Sequence, residues 1–464
     1  MEFLSIDEVV KAINGEMVKE GNFFKFNGVS TDTRKIEKGN IFFALKGESF
    51  NGNSYINVAS DKGATLCIVD EIIFDKENIK ECTSIIKVEN TRRALLDLAE
   101  YYRSKLNIKI VGITGSTGKT STKDLTAAAL SSKYRVFKTE GNFNNEIGLP
   151  LMIFKLNNDY DIAVLELGMN NLGEIHRMCK AARPDIALIT NVGISHIENL
   201  KTRENILKAK LEITDFFNEE NVLIVNGDND LLNSLSSDEF NIIKTGFNNR
   251  GDYYAHHIIL NEDSVSFKVS EENSGENEDI EINLPGKHNV WNALLSIACG
   301  RVLGMSLKEI KEGLKNNINT TGMRLDIIRE EKYTIINDCY NASPDSMKAG
   351  IDVLINIKGE RKIAVLGTMK ELGDEAYNAH KEVGKYVAEK GIETLITLGE
   401  FNKAYEEGYI NETKDIKKEI LSFNDEDEVI KFLKSYIKYG DVLLFKASRA
   451  MKFEGIIEKL KTKE

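Results

Sequence analysis

Residues 108–120 limit this chain more than any other stretch. An apolar, strand-like run at 108–114 ends in Gly112-Ile113-Thr114-Gly115-Ser116-Thr117-Gly118-Lys119-Thr120 and passes straight into a helical pattern over 119–131, with Leu125 and Ala129 four apart. A glycine-rich turn between a strand and a helix lets backbone N–H groups close on phosphate oxygens, and the helix N-terminus adds positive potential. The spacing is not the strict eight-residue phosphate loop. Counted from Gly112 it is one residue longer, and counted from Gly115 it is shorter. Thr114, Gly115, Ser116, Thr117, Gly118, Lys119 and Thr120 are therefore candidates for holding a nucleotide's phosphates. Lys119 would neutralise β/γ charge, and the Thr120 hydroxyl would be offered to Mg²⁺.

The surrounding pattern fits a parallel sheet. Strand-like runs at 135–138, 162–167, 186–190 and 222–225 alternate with helical ones such as 203–217, which implies βαβ crossovers. A second βα series follows Arg324, with strands at 333–337, 362–366, 394–398 and 442–445 and helices at 375–390 and 426–436. The first hundred residues mix short strands with Asn/Gly turns, and a helix at 91–105 leads out of them. The predicted class is α/β with three domains: a small N-terminal α/β domain at 1–105, a central phosphate-loop domain with a mostly parallel sheet at 106–319, and a Rossmann-like domain at 320–464. A length of 464 residues agrees, since a domain averages roughly 150 residues. The acidic, aromatic-free segment 271–279 reads as a solvated hairpin tip.

Composition excludes several classes. With 42% hydrophobic residues the chain can build real cores, so it is not a disordered polymer. A net charge of −12 argues against a nucleic-acid partner, which needs a basic face. No run of 18 apolar residues exists and the start, MEFLSIDEVV, lacks a signal-peptide pattern, so neither membrane insertion nor secretion is expected. Five isolated cysteines with no metal spacing suit a reduced, cytoplasmic protein.

Two residues near the loop suggest a hard cation. Glu166 closes an apolar strand, and His196 follows the next one. Carboxyl ends of parallel strands face the ligand crevice of an α/β sheet, so an acid and an imidazole there can share an ion. Lys208, Lys210 and Glu212 read by composition as a solvated helix face. Residues 139–150 read as a polar loop whose Asn142, Asn144 and Asn145 suit a polar ligand. Asn289 and Asn292 lie three apart on one helical face, and Asp338–Ser343 form an Asx-rich turn after a strand.

The short Thr114–Thr120 loop resembles that of the Mur ligases and folylpolyglutamate synthetases. Further stretches extend the resemblance to the Mur ligase family, in particular to its dipeptide-adding branch, over nearly the whole chain. They are Gly141-Asn142-Phe143-Asn144-Asn145-Glu146-Ile147-Gly148-Leu149-Pro150, Gly286-Lys287-His288-Asn289-Val290-Trp291-Asn292-Ala293, Asp338-Cys339-Tyr340-Asn341-Ala342-Ser343-Pro344, and the motifs at 366–373, 378–384 and 446–452. The resemblance implies ATP and Mg²⁺ as cofactors. Its substrates would be UDP-N-acetylmuramoyl-tripeptide and D-alanyl-D-alanine, joined through an acyl phosphate into a peptidoglycan precursor. It implies metal ligation by Thr120, Glu166, His196 and a carbamylated Lys210, with Lys119, Lys210, His196 and Glu166 as the catalytic set. It places Asn289 and Asn292 by the adenine, Arg324 and Asp338 on ATP, and Tyr340, Asn341 and Ser343 near the acceptor. Near the start, Thr31, Asp32, Arg34 and Lys46 would meet the uridine nucleotide. A monomer is expected.

The chain departs from the family pattern at Asn51-Gly52-Asn53, Gly367-Thr368-Met369 and Lys446-Ala447-Ser448-Arg449-Ala450, which bears on single positions. The alternatives are another ligase of the superfamily adding a different amino acid or glutamate, a silent nucleotide-binding scaffold, and a nucleotide kinase or GTPase. Intact Lys119, Thr120, Glu166 and His196 speak against the scaffold. Large segments on both sides of the loop speak against the kinase or GTPase.

Overall fold

A computed structural model describes residues 1–22, 25–247, 251–318, 321–412 and 419–461. Three sheets follow one another along the chain. The first contains β1 (Glu16–Lys19), β2 (Gly28–Ser30), β3 (Asn40–Phe43), β4 (Leu66–Val69) and β5 (Ser84–Lys87), in the order β1-β5-β4-β3-β2, with only β1 antiparallel to its neighbour. The central sheet contains β6 (Lys109–Thr114), β7 (Val136–Lys138), β8 (Ile162–Glu166), β9 (Ile186–Ile189), β10 (Val222–Asn226), β11 (Asn241–Phe247), β12 (Tyr253–Leu260), β13 (Val265–Glu271) and β14 (Asn277–Ile282). Its order is β14-β13-β12-β11-β10-β9-β6-β8-β7, parallel from β7 to β12 and antiparallel beyond. The last sheet contains β15 (Asp326–Arg329), β16 (Tyr333–Asn337), β17 (Arg361–Gly367), β18 (Thr394–Leu398), β19 (Glu419–Phe423) and β20 (Asp441–Lys446), in the order β15-β16-β20-β17-β18-β19, with β15 alone antiparallel. The architecture is thus three α/β units with mostly parallel sheets, as the alternation of strand and helix patterns predicts.

The strands β6, β8 and β9 are almost wholly buried runs of Ile, Val, Leu and Ala, as a sheet covered on both faces requires. One face packs under the helix Lys119–Leu130 and the helix His288–Val302, where Leu125, Ala129, Leu294 and Ile297 meet Val111, Val164 and Leu188. The other face shares a continuous core with the first unit: Leu95, Leu98 and Tyr102 of the helix Thr91–Ser104 join Leu165, Ile175, Met178 and Ile189. Both faces of the last sheet carry cores of their own.

Two local expectations change. The helix expected over 203–217 is α-helical only at Arg203–Leu211 and tightens to a 3-10 turn at Glu212–Thr214. The Glu212 carboxylate turns away to accept from the N–H groups of Gly173 (2.6 Å) and His176 (3.1 Å), capping the helix Glu174–Ala182. The segment 271–279 does form a hairpin tip, but its last three residues already belong to β14.

Candidate active site

β6 and β9 are neighbours, yet the chain leaves β6 towards β8 and β7 and leaves β9 towards β10. The crevice outside the carboxyl ends of such a pair is where an α/β sheet takes its ligand. The loop after β6 and the turn after β9 meet there. Ser116 N–H donates to the Asn191 carbonyl (3.0 Å), Thr117 N–H to Asn191 Oδ1 (2.8 Å) and Gly193 N–H to Ser116 Oγ (3.0 Å). Gly115 (φ +152°) leaves no room for a side chain, since a Cβ would lie 1.8 Å from Thr190 Oγ1. Gly118 adopts φ +80° at the N-cap of the helix Lys119–Leu130. Lys119 Nζ folds back to donate to the Gly115 carbonyl at 2.8 Å. Burial pushes its ammonium pKa down, and Glu166 partly opposes this.

Glu166, 2% exposed at the end of β8, is held by both oxygens. Thr120 Oγ1 donates to Oε2 at 3.0 Å and Asn144 Nδ2 to Oε1 at 2.9 Å. Asn145 instead caps the helix Gly148–Ile153, accepting from Ile147 N–H and Gly148 N–H, and Asn142 lies exposed at the rim. His196 stands at φ +65° with Nδ1 2.7 Å from the carboxylate of Glu371, which comes from the last unit. That imidazole is the main reason the Glu371 carboxyl lies below its ordinary pKa. Lys210 is 1% exposed, and no hydrogen bond or ion pair reaches its ammonium among the described residues. Burial, then the nearby Lys119, drives its pKa well down, which favours the neutral amine. It is not the solvated lysine that composition suggests.

The opposite wall belongs to the last unit. Arg324 lies over the Tyr340 ring at 4.1 Å, and its Nε is buried without a hydrogen-bond partner among the described residues. Asp338 is gripped by Lys446 Nζ at 2.5 Å and accepts from Leu325 N–H at 3.3 Å. Ser343 caps the helix Pro344–Asn356, and Asn341 is exposed beside it. Asn289 and Asn292 are buried, not the surface pair of a plain helix start. Asn292 Nδ2 donates to Asn289 Oδ1 (3.1 Å), and Thr122 Oγ1 donates to Asn292 Oδ1 (3.1 Å), tying this helix to the phosphate-loop helix.

A cleft of about 1030 Å³ runs between these walls. It brings together Ser116–Thr120, Asn142, Asn144, Asn145, Glu166, His196, Asn289, Asn292, Arg324, Asp338, Tyr340, Asn341 and Ser343. Thr114 and Gly115 lie beneath its floor, and Lys210 is likewise not on its surface. Thr31, Asp32, Arg34 and Lys46 are elsewhere, beyond the carboxyl ends of β2 and β3. Arg34 is spent on Asp32 (2.8 Å) and Lys46 on Glu71 (2.7 Å) and Asp70 (3.3 Å). Sequence reasoning missed Asn191, Glu371 and Lys446. The last two sit inside motifs quoted for the resemblance, yet their partners lie far away in sequence. It also missed Asp124, whose Oδ2 accepts from the N–H (2.9 Å) and hydroxyl (3.0 Å) of Thr321 at the entrance to the last unit.

Comparison with known proteins fits this geometry. Family profiles match at residues 25–103 (Mur ligase family, catalytic domain), 113–300 (Mur ligase middle domain) and 323–449 (Mur ligase, glutamate ligase domain). The UDP-N-acetylmuramoyl-tripeptide–D-alanyl-D-alanine ligase of Bacillus subtilis (strain 168) is 39% identical over 436 residues, 94% of this chain and 93% of that one. The chain belongs to the Mur ligase family. The enzyme of the same description from Escherichia coli (strain K12) is 32% identical and covers 98% of both chains. Among solved structures, MurF of Acinetobacter baumannii superposes with a TM-score of 0.88 at 29% identity, covering 99% of both chains. MurF ligase of Thermotoga maritima in complex with ADP gives 0.80 at 29% identity, over 94% of this chain and 97% of that one.

Proposed function

We propose that this chain is an ATP-dependent ligase that joins D-alanyl-D-alanine to UDP-N-acetylmuramoyl-tripeptide, releasing ADP and phosphate and yielding the muramoyl-pentapeptide precursor of peptidoglycan. The cleft carries the reading. A phosphate loop forms one wall, and the facing wall presents Arg324, whose buried Nε has no hydrogen-bond partner among the described residues. The full-length likeness to ligases of that description supplies the substrate pair.

A free carboxylate is a poor electrophile. Transfer of the γ-phosphoryl group to it gives an acyl phosphate, which the dipeptide amine attacks, and phosphate departs from the tetrahedral intermediate. The loop's N–H groups and Lys119 would hold the phosphates, with charge stabilisation in a dry site as their main contribution. Lys119 must release the Gly115 carbonyl to do so. Arg324 would meet phosphoryl oxygens from the other side, braced on Tyr340, while Asp338, Asn289 and Asn292 line the nucleotide's other end. Tyr340, Asn341 and Ser343 border the space left for the acceptor. The first 105 residues would bind the uridine nucleotide through the sheet edge at Thr31, Asp32, Arg34 and Lys46, residues 106–319 would bind ATP, and residues 320–464 would close over the dipeptide.

The donor set suits Mg²⁺. Thr120 and Glu166 are hard oxygen donors in contact at the loop's mouth, and no group of three acidic, histidine or cysteine residues forms a protein cage among the described residues. Magnesium is usually held by one or two carboxylates plus substrate phosphates. Thr120, Glu166, His196 and a carbamylated Lys210 would hold it, and when bound it would neutralise phosphate charge. A neutral Lys210 amine is the form that can react with carbon dioxide.

Among the described residues no helix is long and apolar enough to cross a membrane. The reading places the enzyme in the cytoplasm as a monomer, with a cleft built by one chain. Phosphate release tests the function. With ATP, Mg²⁺ and UDP-N-acetylmuramoyl-tripeptide, release should depend on added D-alanyl-D-alanine, and release indifferent to the dipeptide would refute the substrate assignment.

A further inference from the structure

His196 and Glu371 meet across two units. His196 lies just beyond β9 and lines the cleft, while Glu371 lies just beyond β17 on the loop 368–373. Nδ1 of His196 is buried, and the polar group it meets is the Glu371 carboxylate at 2.7 Å, close but not aligned as a hydrogen bond. Nε2 carries no hydrogen bond among the described residues. Both residues are held in the left-handed region, at φ +65° and +67°, which non-glycine side chains seldom adopt.

The loop that carries Glu371 is pinned from behind. Met369 N–H donates to His380 Nε2 at 2.8 Å, and Lys370 N–H to Ser448 Oγ at 2.8 Å. His380 is fully buried, with Nδ1 2.6 Å from the Ala376 carbonyl and its ring stacked on Phe401 at 4.3 Å. A donor at Nδ1 and an acceptor at Nε2 fix its tautomer. In front, Gly373 (φ +51°) presses on Glu198, leaving only 3.2 Å between a Cβ and the Glu198 Cα. Two strained residues facing each other, with the supporting loop locked on both sides, make a built contact rather than a chance surface pair.

We propose that Glu371 is a positioning residue for His196: it holds the ring as the Nδ1–H tautomer and leaves the Nε2 lone pair for a cation at the nucleotide. This deepens the proposed function, since it rests on His196 as a metal ligand. Metal-binding histidines commonly donate their second ring N–H to a carboxylate, which fixes tautomer and orientation. Here that carboxylate arrives from a different unit. Docking of the last unit therefore completes the cation site as well as covering it, so the site reaches full affinity only in the docked arrangement.

The test uses the full-length enzyme and two readouts. In metal-free protein labelled with ¹⁵N-histidine, the His196 signals, assigned by their loss in His196→Asn, should report the Nδ1–H tautomer. Glu371→Gln should keep that tautomer, because an amide oxygen in the same place can accept from Nδ1–H. Glu371→Ala should lose it. A wild-type ring protonated at Nε2, or a tautomer unchanged in Glu371→Ala, overturns the proposal. The second readout is Mn²⁺ affinity in the presence of ADP. Glu371→Ala should weaken it about tenfold and Glu371→Gln less, in the range of outer carboxylate losses. If His196→Asn weakens Mn²⁺ binding and Glu371→Ala does not, the positioning role fails while the metal-ligand reading stands. If His196→Asn leaves Mn²⁺ binding unchanged, the metal-ligand reading fails and takes this role with it.

Discussion

Replacing Lys119 by alanine lowers ligase turnover by at least about 10³-fold while the protein remains folded. Phosphoryl transfer asks little covalent chemistry of the protein, so a fixed cation aimed at the transferring group carries much of the rate. Lys119 is placed for this at the first position of its helix, with Nζ only 2.8 Å from a loop carbonyl that an incoming phosphate can replace. Stability should hardly change. Burial already disfavours the Lys119 ammonium, and Glu166 keeps its hydrogen bonds from Thr120 and Asn144 without it. Lys119→Arg should not restore activity, because a planar guanidinium does not fit the place of a compact ammonium. Phosphate release and circular dichroism check both halves. Activity within tenfold of the native enzyme would remove Lys119 from the phosphate site.

Lys446→Ala should destabilise the last unit by about 3–5 kcal/mol, the cost of leaving a buried charge without its partner. Lys446 is 2% exposed, and its Nζ reaches both Asp338 (2.5 Å) and the Asn341 carbonyl (3.1 Å). Its loss strands the Asp338 carboxylate beside Cys339, at the end of a strand pair whose middle residues Ile335, Ile336, Leu443 and Leu444 are apolar and buried. Two effects separate in the double variant Lys446→Met with Asp338→Leu. Apolar replacement of both charges should recover most of the stability, whereas activity should stay low if Asp338 holds the nucleotide. Urea denaturation read alongside phosphate release decides this. Equal recovery of both would leave the pair a purely structural role.

How much was legible follows from where each signal resides. The β6 loop and its helix are local: the apolar run, the glycines and Lys119 lie within a dozen residues, and the structure reproduces them to within a residue. Glu166 was legible for the same reason, as a polar residue ending an apolar strand. The helix 203–217 was over-read because Glu212 leaves it to cap a helix nearly forty residues earlier. The contact Asp338–Lys446 joins strand ends that only sheet order makes neighbours, and His196–Glu371 joins loops of two different sheets, which only the packing of the units brings together. The N-terminal candidates show the converse. The resemblance put Arg34 and Lys46 on the uridine nucleotide, but it could not show that Asp32, Asp70 and Glu71 already lie against them. An exposed ion pair such as Arg34–Asp32 is screened by water and held weakly, so an arriving phosphate can compete for it.

The helix Thr91–Ser104 packs against the helices Ile6–Ala12, Gly148–Ile153 and Glu174–Ala182. Tyr102 hydroxyl donates to the Leu156 carbonyl, and Arg103 donates to Ala182, Leu106 and Ile108 carbonyls. The first unit therefore has no separate core on that side. During synthesis its apolar face at Leu95, Leu98 and Tyr102 stays wet until residues near 180 have left the ribosome, whereas the last unit brings both of its cores with it. A polypeptide ending at residue 105 should aggregate or be degraded when expressed alone, and one ending near 318 should accumulate in soluble form. Three sheets along the chain would then be two units in biogenesis.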